Sequence, residues 1–191
     1  MAIRFLEEKD IKRIIEIYSY YIENTTVTFE YTVPSYDEFK TRFNKIQENY
    51  PFIVYEEKGV ILGYAYASKQ NERMAYSWNC SLSVYLDKNS TGNGVGVKLY
   101  STLLDILKIQ GYFNAYALVT VPNEKSFSLH KKMGFELESI NKNTGFKFEK
   151  WIDVAQWKKT LRDFEKPTTT PLGINDIDKD LIYKIFGKYS K

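Results

Sequence analysis

Three glycines fall within five residues in STGNGVGVKLY at 90–100, namely Gly92, Gly94 and Gly96. Glycine costs backbone entropy, so such a cluster needs a reason: a tight turn, or something that must come very close to the backbone. Before it, AYSWNCSLSVYL at 75–86 is rich in β-branched and aromatic residues and reads as a strand. After it, VKLYSTLLDILKIQG places Leu99, Leu103, Leu104 and Leu107 on one helix face, with Gly111 as a natural stop. Strand, glycine loop and amphipathic helix form a phosphate-binding arrangement in general, because unpaired N–H groups at a helix N-terminus favour an anion. Two common versions fail. A dinucleotide fingerprint counted from Gly92 ends on Val97 instead of glycine, and a Walker A loop needs Ser or Thr after its lysine, where Lys98 is followed by Leu99. A tight turn with no ligand stays open at this point.

The rest of the chain surrounds this unit with alternating elements. Asp10 reads as the N-cap of a helix carrying Ile11, Ile14, Ile15 and Tyr18, and Ser35 opens a second helix whose first turn holds Asp37 and Glu38. FIVYEEKGVILGYAYAS reads as a hairpin around Glu57-Lys58-Gly59. NAYALVTV is a short apolar strand suited to a buried position, NEKSFSLHKKMG a helix closed by Gly134, and FELESINKN with GFKFEKWIDVAQW a terminal strand pair. The order β-loop-α-β-α-β makes this an α/β chain with at least one parallel crossover. The expected division is a main domain over 1–161, then a linker and short helical appendage over 162–191. The appendage, INDIDKDLIYKIF after KPTTTPLG, is too small to fold alone and is expected to dock on the main domain or on a partner.

Composition narrows the function classes. With 191 residues and 43% hydrophobic content, the chain can bury one sizeable core. A net charge of +3 with dispersed lysines lacks the concentrated basic stripe of a nucleic-acid binder, so no nucleic-acid partner is expected. Cys80 is the only cysteine and His130 the only histidine, which excludes an intrachain disulfide and leaves no expected metal site. No apolar run approaches a membrane span, and MAIRFLEEKD carries charge too early for a signal peptide, so the expectation is a cytoplasmic protein with no membrane partner.

SVYLDKNSTGNGVGVKLYSTLL resembles the pyrophosphate-binding motif of the GNAT N-acetyltransferases, Q/R-x-x-G-x-G/A. Around it, TFE at 28–30, YPF at 50–52, GYAYAS at 63–68, RMAY at 73–76, PNEKSFSLHKKMGF at 122–135 and GFKFEKWIDVAQW at 145–157 resemble the phosphinothricin acetyltransferase branch, in order from about Ile3 to Leu161. The resemblance implies a GNAT fold: a mixed, mostly antiparallel sheet with a splayed central parallel strand pair and helices on both faces. It implies acetyl-CoA as co-substrate, with its pyrophosphate on the amides of Gly92, Asn93, Gly94, Val95, Gly96 and Val97. The pantetheine arm would pair with Val84, Tyr85 and Leu86 like an added strand, with Asn123 bonded to the same arm and Ser126 and Lys132 nearby. The implied acceptor is a small amino-acid-like amine, such as phosphinothricin or methionine sulfoximine or sulfone. Arg73 of the run Arg73, Met74, Ala75, Tyr76 would clamp its carboxylate, and Phe29, Tyr76 and Trp78 would supply walls. A homodimer is implied as well.

Direct acetyl transfer needs a neutral amine, a stabilised oxyanion and a leaving thiolate. The resemblance assigns the oxyanion donor to a main-chain N–H near Val84 and the leaving-group acid to His130, four residues before Gly134. Two positions depart from the pattern. The motif's leading Gln or Arg falls on Thr91, which predicts weaker cofactor binding, and the family's strand glutamate falls on Ser81. Three readings follow: Glu30 serves as base directly or through water, an ordered water chain past Ser81 suffices, or activity is lost or redirected. Cys80 is an unpromising nucleophile, since strand alternation sets it and Ser81 on opposite faces. Rival functions are a GNAT enzyme for a polyamine, aminoacyl compound or peptide N-terminus, and a CoA-binding module without catalysis.

Overall fold

The computed structural model describes residues 1–190. The alternating runs expected to form a hairpin do so, as β2 (Phe52–Glu57) and β3 (Val60–Lys69), paired antiparallel. On the outer side of β2 lies β1 (Ala2–Phe5), a strand too short for the sequence pattern to single out. On the other side of β3 lies β4 (Asn79–Leu86). β5 (Asn114–Val121) runs parallel to β4, but the two are in register only at Asn79↔Asn114, Cys80↔Ala115 and Ser81↔Tyr116. β6 (Glu136–Lys147) and β7 (Lys150–Thr160) form the terminal pair, and β7 inserts between β5 and β6. The sheet order is therefore β1-β2-β3-β4-β5-β7-β6, mixed and mostly antiparallel with one parallel pair.

Helices cover both faces. α1 (Ile11–Asn24) and α2 (Tyr36–Gln47) bury Ile11, Ile14, Phe39 and Phe43 on one face against Tyr64 and Phe52. α3 (Val95–Gln110) buries Leu99, Leu103, Leu104 and Leu107 on the other face, in a core that includes Cys80, Ala115 and Trp157. Each such leucine stabilises the fold by roughly 1.5–3 kcal/mol relative to exposure. α4 (Glu124–Lys132) lies beside α3. Ser35 caps α2 reciprocally with Glu38. Asp10 does not cap α1 with its side chain; it accepts from the Glu7 N–H at 2.9 Å and from Arg4, capping a preceding 3-10 turn.

The C-terminal segment returns to the body. Ile174, Ile177, Ile182 and Phe186, the last two on α5 (Lys179–Tyr189), join the α3-side core. Phe186 sets its ring edge-on to Phe5 of β1 at 5.1 Å, and the Ser190 hydroxyl accepts from the Ile3 N–H at 2.9 Å. Among the described residues, no helix is long and apolar enough to cross a membrane.

Candidate active site

Beyond Ser81 and Tyr116 the two parallel strands part. β4 stays paired to β3 as far as Leu86↔Gly63, and β5 to β7 as far as Val121↔Asp153, so the inner edges of both strands face a wedge. The Asp87 N–H donates to the Leu62 carbonyl at 2.8 Å, which sets the phase of the β3–β4 ladder. By antiparallel alternation, Ser83 and Tyr85 turn their main-chain groups to β3, while Leu82, Val84 and Leu86 turn theirs into the wedge. At Leu86 the Tyr21 hydroxyl of α1 occupies both groups, donating to the carbonyl at 2.7 Å and accepting from the N–H at 3.3 Å. Of the three residues expected to pair with an arm, Val84 alone keeps its main-chain groups open to the wedge.

The glycine loop sits at the mouth of this wedge. Asp87 organises its start, accepting from the N–H groups of Asn89 and Ser90 and from Arg13 of α1 at 2.5 Å. Gly92 and Gly94 have φ of 86° and 80°, which a side chain at either position would strain. Gly94 is the N-cap of α3 and brings no side-chain acceptor, so the first-turn amides of Val95, Gly96 and Val97 are left for an outside acceptor. Gly96 differs: its φ is not in the left-handed region, and a Cβ there would lie in ordinary contact, 3.5 Å from both Leu86 and Leu129. Two of the three glycines thus shape the turn.

On the α1–α2 face, the loop between those helices carries Phe29 and Glu30. The Glu30 carboxylate pairs with Arg42 of α2 at 2.5 Å. It acts electrostatically on Tyr18 and Tyr66, whose hydroxyls burial pushes up, Tyr18 to about 12. Tyr66 lies across from Ser83, two residues along β4 from half-buried Ser81. Glu30 and Ser81 therefore belong to one face of the sheet. Cys80 faces the opposite core, fully buried, and burial pushes its thiol well up, away from nucleophilic chemistry.

His130 is enclosed. Its ring stacks on Trp157 at 5.7 Å and meets Tyr100 and Phe135 edge-on. Nδ1 lies 2.7 Å from the Ser126 carbonyl, an acceptor, so Nδ1 carries the proton. Nε2 then accepts from the Tyr100 hydroxyl at 2.8 Å. Burial lowers the imidazole below its ordinary value, with the Ser126 carbonyl opposing. The unfolded chain, with a histidine near 6.5, binds a proton below that pH which the folded chain resists. The stability this confers is present above the unfolded value of about 6.5 and is lost as pH falls below it toward the lower folded value. Because His130 is the only histidine, His130→Gln should flatten this slope, read as the urea midpoint against pH. An unchanged slope in the variant would refute the assignment.

The other expected residues do not all converge. The Asn123 side chain caps α4, accepting from the Ser126 N–H at 3.1 Å, and Lys132 is exposed at the end of that helix. Arg73, Met74, Ala75 and Tyr76 lie exposed on a 3-10 turn before β4. Trp78, expected as a wall, turns its indole N–H to the Thr169 carbonyl at 2.9 Å. Cavities of about 210 and 520 Å³ are lined partly by residues 162–173 at the end where β4 and β5 begin, away from the glycine loop. Sequence reasoning missed Tyr21, Arg42 and Lys147. The first two carry no signal beyond ordinary helix residues, and the third sits inside the GFKFEK run as an apparent surface lysine.

A family model described as acetyltransferase (GNAT) domain matches residues 3–155. The phosphinothricin N-acetyltransferase of Streptomyces viridochromogenes is 33% identical, over 87% of this chain and 90% of the relative. The L-methionine sulfoximine/L-methionine sulfone acetyltransferase of Salmonella typhimurium is 29% identical, over 87% and 98%. Among solved structures, a GNAT superfamily phosphinothricin acetyltransferase from Sinorhizobium meliloti in complex with AcCoA superposes with a TM-score of 0.82 at 36% identity, over 88% of this chain and 91% of that one.

Proposed function

The chain belongs to the GNAT acetyltransferase family, and from that premise we propose that it binds acetyl-CoA in the β4–β5 wedge and acetylates a small amino-acid-like amine. The observation that carries this reading is the glycine-capped N-terminus of α3 beside an open strand edge at Val84. Its first-turn amides suit a pyrophosphate, and the Val84 edge suits an amide-bearing arm. The bound thioester supplies the acetyl group. The acceptor class rests on what the similar proteins act on by name, phosphinothricin and methionine sulfoximine or sulfone.

On this reading the Val84 N–H is the oxyanion donor, a main-chain group needing no side chain. The acceptor approaches from the α1–α2 face, where Phe29 and Glu30 lie, and its proton leaves toward Glu30 through water at Ser81. Arg73 meets the acceptor carboxylate from the rim turn. His130 holds α4 on α3 in the resting arrangement; with its one ring proton on Nδ1, it protonates a departing thiolate only after it releases Tyr100 and takes up a second proton at Nε2, which the acceptor amine supplies.

Free-thiol release tests this reading with acetyl-CoA and a panel of phosphinothricin, methionine sulfone, methionine sulfoximine, a polyamine and a short peptide. We expect turnover of at least one amino-acid-like amine. Ser81→Glu, which restores a carboxylate on the strand, should raise kcat at pH 7 by roughly tenfold or more. Turnover of only the polyamine or peptide moves the chain to a different acceptor. Acetyl-CoA binding without turnover by either protein overturns the enzymatic reading in favour of a binding module.

A further inference from the structure

At the end of β6, Lys147 stands where an apolar residue is expected, with phenylalanines turned outward on either side. Phe146 and Phe148 on either side are 46% and 50% exposed, while the lysine is 2% exposed. Its ammonium donates to two main-chain carbonyls, Thr28 at 2.8 Å and Thr25 at 2.9 Å. The nearby Glu30 carboxylate favours its charge while burial opposes it. A buried ammonium held by carbonyls is costly unless its bonds are well made, so these two bonds fix where the carbonyls sit.

Both carbonyls belong to the irregular segment 25–31, the one that carries Phe29 and Glu30. β6 grips that segment at neighbouring points. A Cβ at Gly145 would overlap the Phe29 ring, and the Tyr31 hydroxyl donates to the Phe146 carbonyl. Elsewhere the segment is held by the Glu30–Arg42 ion pair at its exposed end and by neutral side-chain bonds, Thr28 to Tyr18 at 2.9 Å and Thr26 to Thr120 at 3.4 Å. Lys147 supplies a charged donor, and bonds to charged groups are the stronger kind.

We propose that Lys147 is a positioning residue for the acceptor amine: through the carbonyls of Thr25 and Thr28 it sets the loop that presents Phe29 and Glu30 to the acceptor face. This rests on the reading of that face as the amine side of an acetyltransferase. The lysine touches neither substrate; it acts through the loop. Removing it loosens acceptor binding and leaves the acetyl-CoA wedge on β4 and α3 as it was.

Lys147→Met keeps the length of the side chain and removes its donors, Lys147→Gln keeps a shorter neutral donor, and Lys150→Met controls for loss of a nearby exposed lysine. Two readouts apply: amide hydrogen exchange, and steady-state kinetics with acetyl-CoA and whichever panel amine the natural protein turns over. For Lys147→Met we expect amides of 26–30 to exchange at least tenfold faster with those of α3 and β5 unchanged. KM for the amine should rise at least tenfold and KM for acetyl-CoA should change less than twofold. Lys147→Gln should fall between, and Lys150→Met should match the natural protein. Unchanged exchange in 26–30 overturns the proposal, as does a parallel rise in both KM values or faster exchange throughout the sheet. If Lys147→Met does not fold, Lys147→Gln decides by the same criteria. If the natural protein turns over no amine, the enzymatic reading fails separately, and exchange alone decides whether Lys147 sets the loop.

Discussion

Replacing Gly94 by valine should weaken acetyl-CoA binding by about thirtyfold, roughly 2 kcal/mol, while the protein still folds. The backbone there has φ of 80°, and a side-chain-bearing residue in that region costs about 1–2 kcal/mol; a β-branched one is stiffer still. No atom lies within 4 Å of a Cβ placed at Gly94, so the penalty is conformational and not a clash with the core. The loop relieves it by leaving the left-handed region, which turns the first-turn amides of α3 away from the wedge. Gly96→Ala is the matched contrast. Its Cβ would lie in ordinary contact with Leu86 and Leu129, and alanine gains about 0.5–1 kcal/mol over glycine within a helix, so its Kd should stay within about threefold of the natural value. Titration calorimetry with acetyl-CoA, with thermal melts to confirm folding, separates the two. Equal Kd values for all three proteins would remove the glycine loop from the cofactor site.

Trp157→Ala should produce the largest loss of stability, about 3–5 kcal/mol, or a fall in Tm of roughly 10 °C for a chain this size. The indole is 1% exposed, with His130 stacked on it and Phe127 edge-on at 5.1 Å, so its removal leaves a void between β7, α4 and α3. Trp157→Phe should cost less than half as much. The Trp157 Nε1–H is buried with no hydrogen-bond partner, a penalty of about 1–3 kcal/mol that phenylalanine lacks. Urea or thermal unfolding of the two variants measures this. Equal losses would show that the orphaned N–H carries no cost in the folded protein.

Much of this architecture is legible in local sequence. The leucine face of α3, its stop at Gly111, the start of α2 after Ser35 and the hairpin at Lys58 and Gly59 are set by neighbours within a few residues, and each stands where the pattern puts it. The opposite facing of Cys80 and Ser81 follows from the pleat alone. What escaped depends on partners far along the chain. His130 turns inward because Tyr100, a full helix away, offers it a hydroxyl. Trp78 turns away from a substrate because Thr169 offers a carbonyl. Asp10 stands at the N-cap of α1 as the pattern puts it, but its carboxylate turns to Arg4 of β1 instead of the α1 amides. Lys147 is the sharpest case, since hydrophobicity would bury its two phenylalanine neighbours in its place, and only the carbonyls of a distant loop reverse the order.

The insertion of β7 between β5 and β6 bears on how the chain is made. β5 shares three registered pairs with β4 and eight with β7, so most of its hydrogen bonding waits for residues 153–160 to be synthesised. At translation rates of about 5–20 residues per second, that wait lasts roughly 2–8 seconds after β5 itself is complete. Throughout it the nascent polypeptide carries an apolar strand with one edge almost wholly open, the condition under which neighbouring chains pair wrongly. A product terminated before β7 keeps that edge for good.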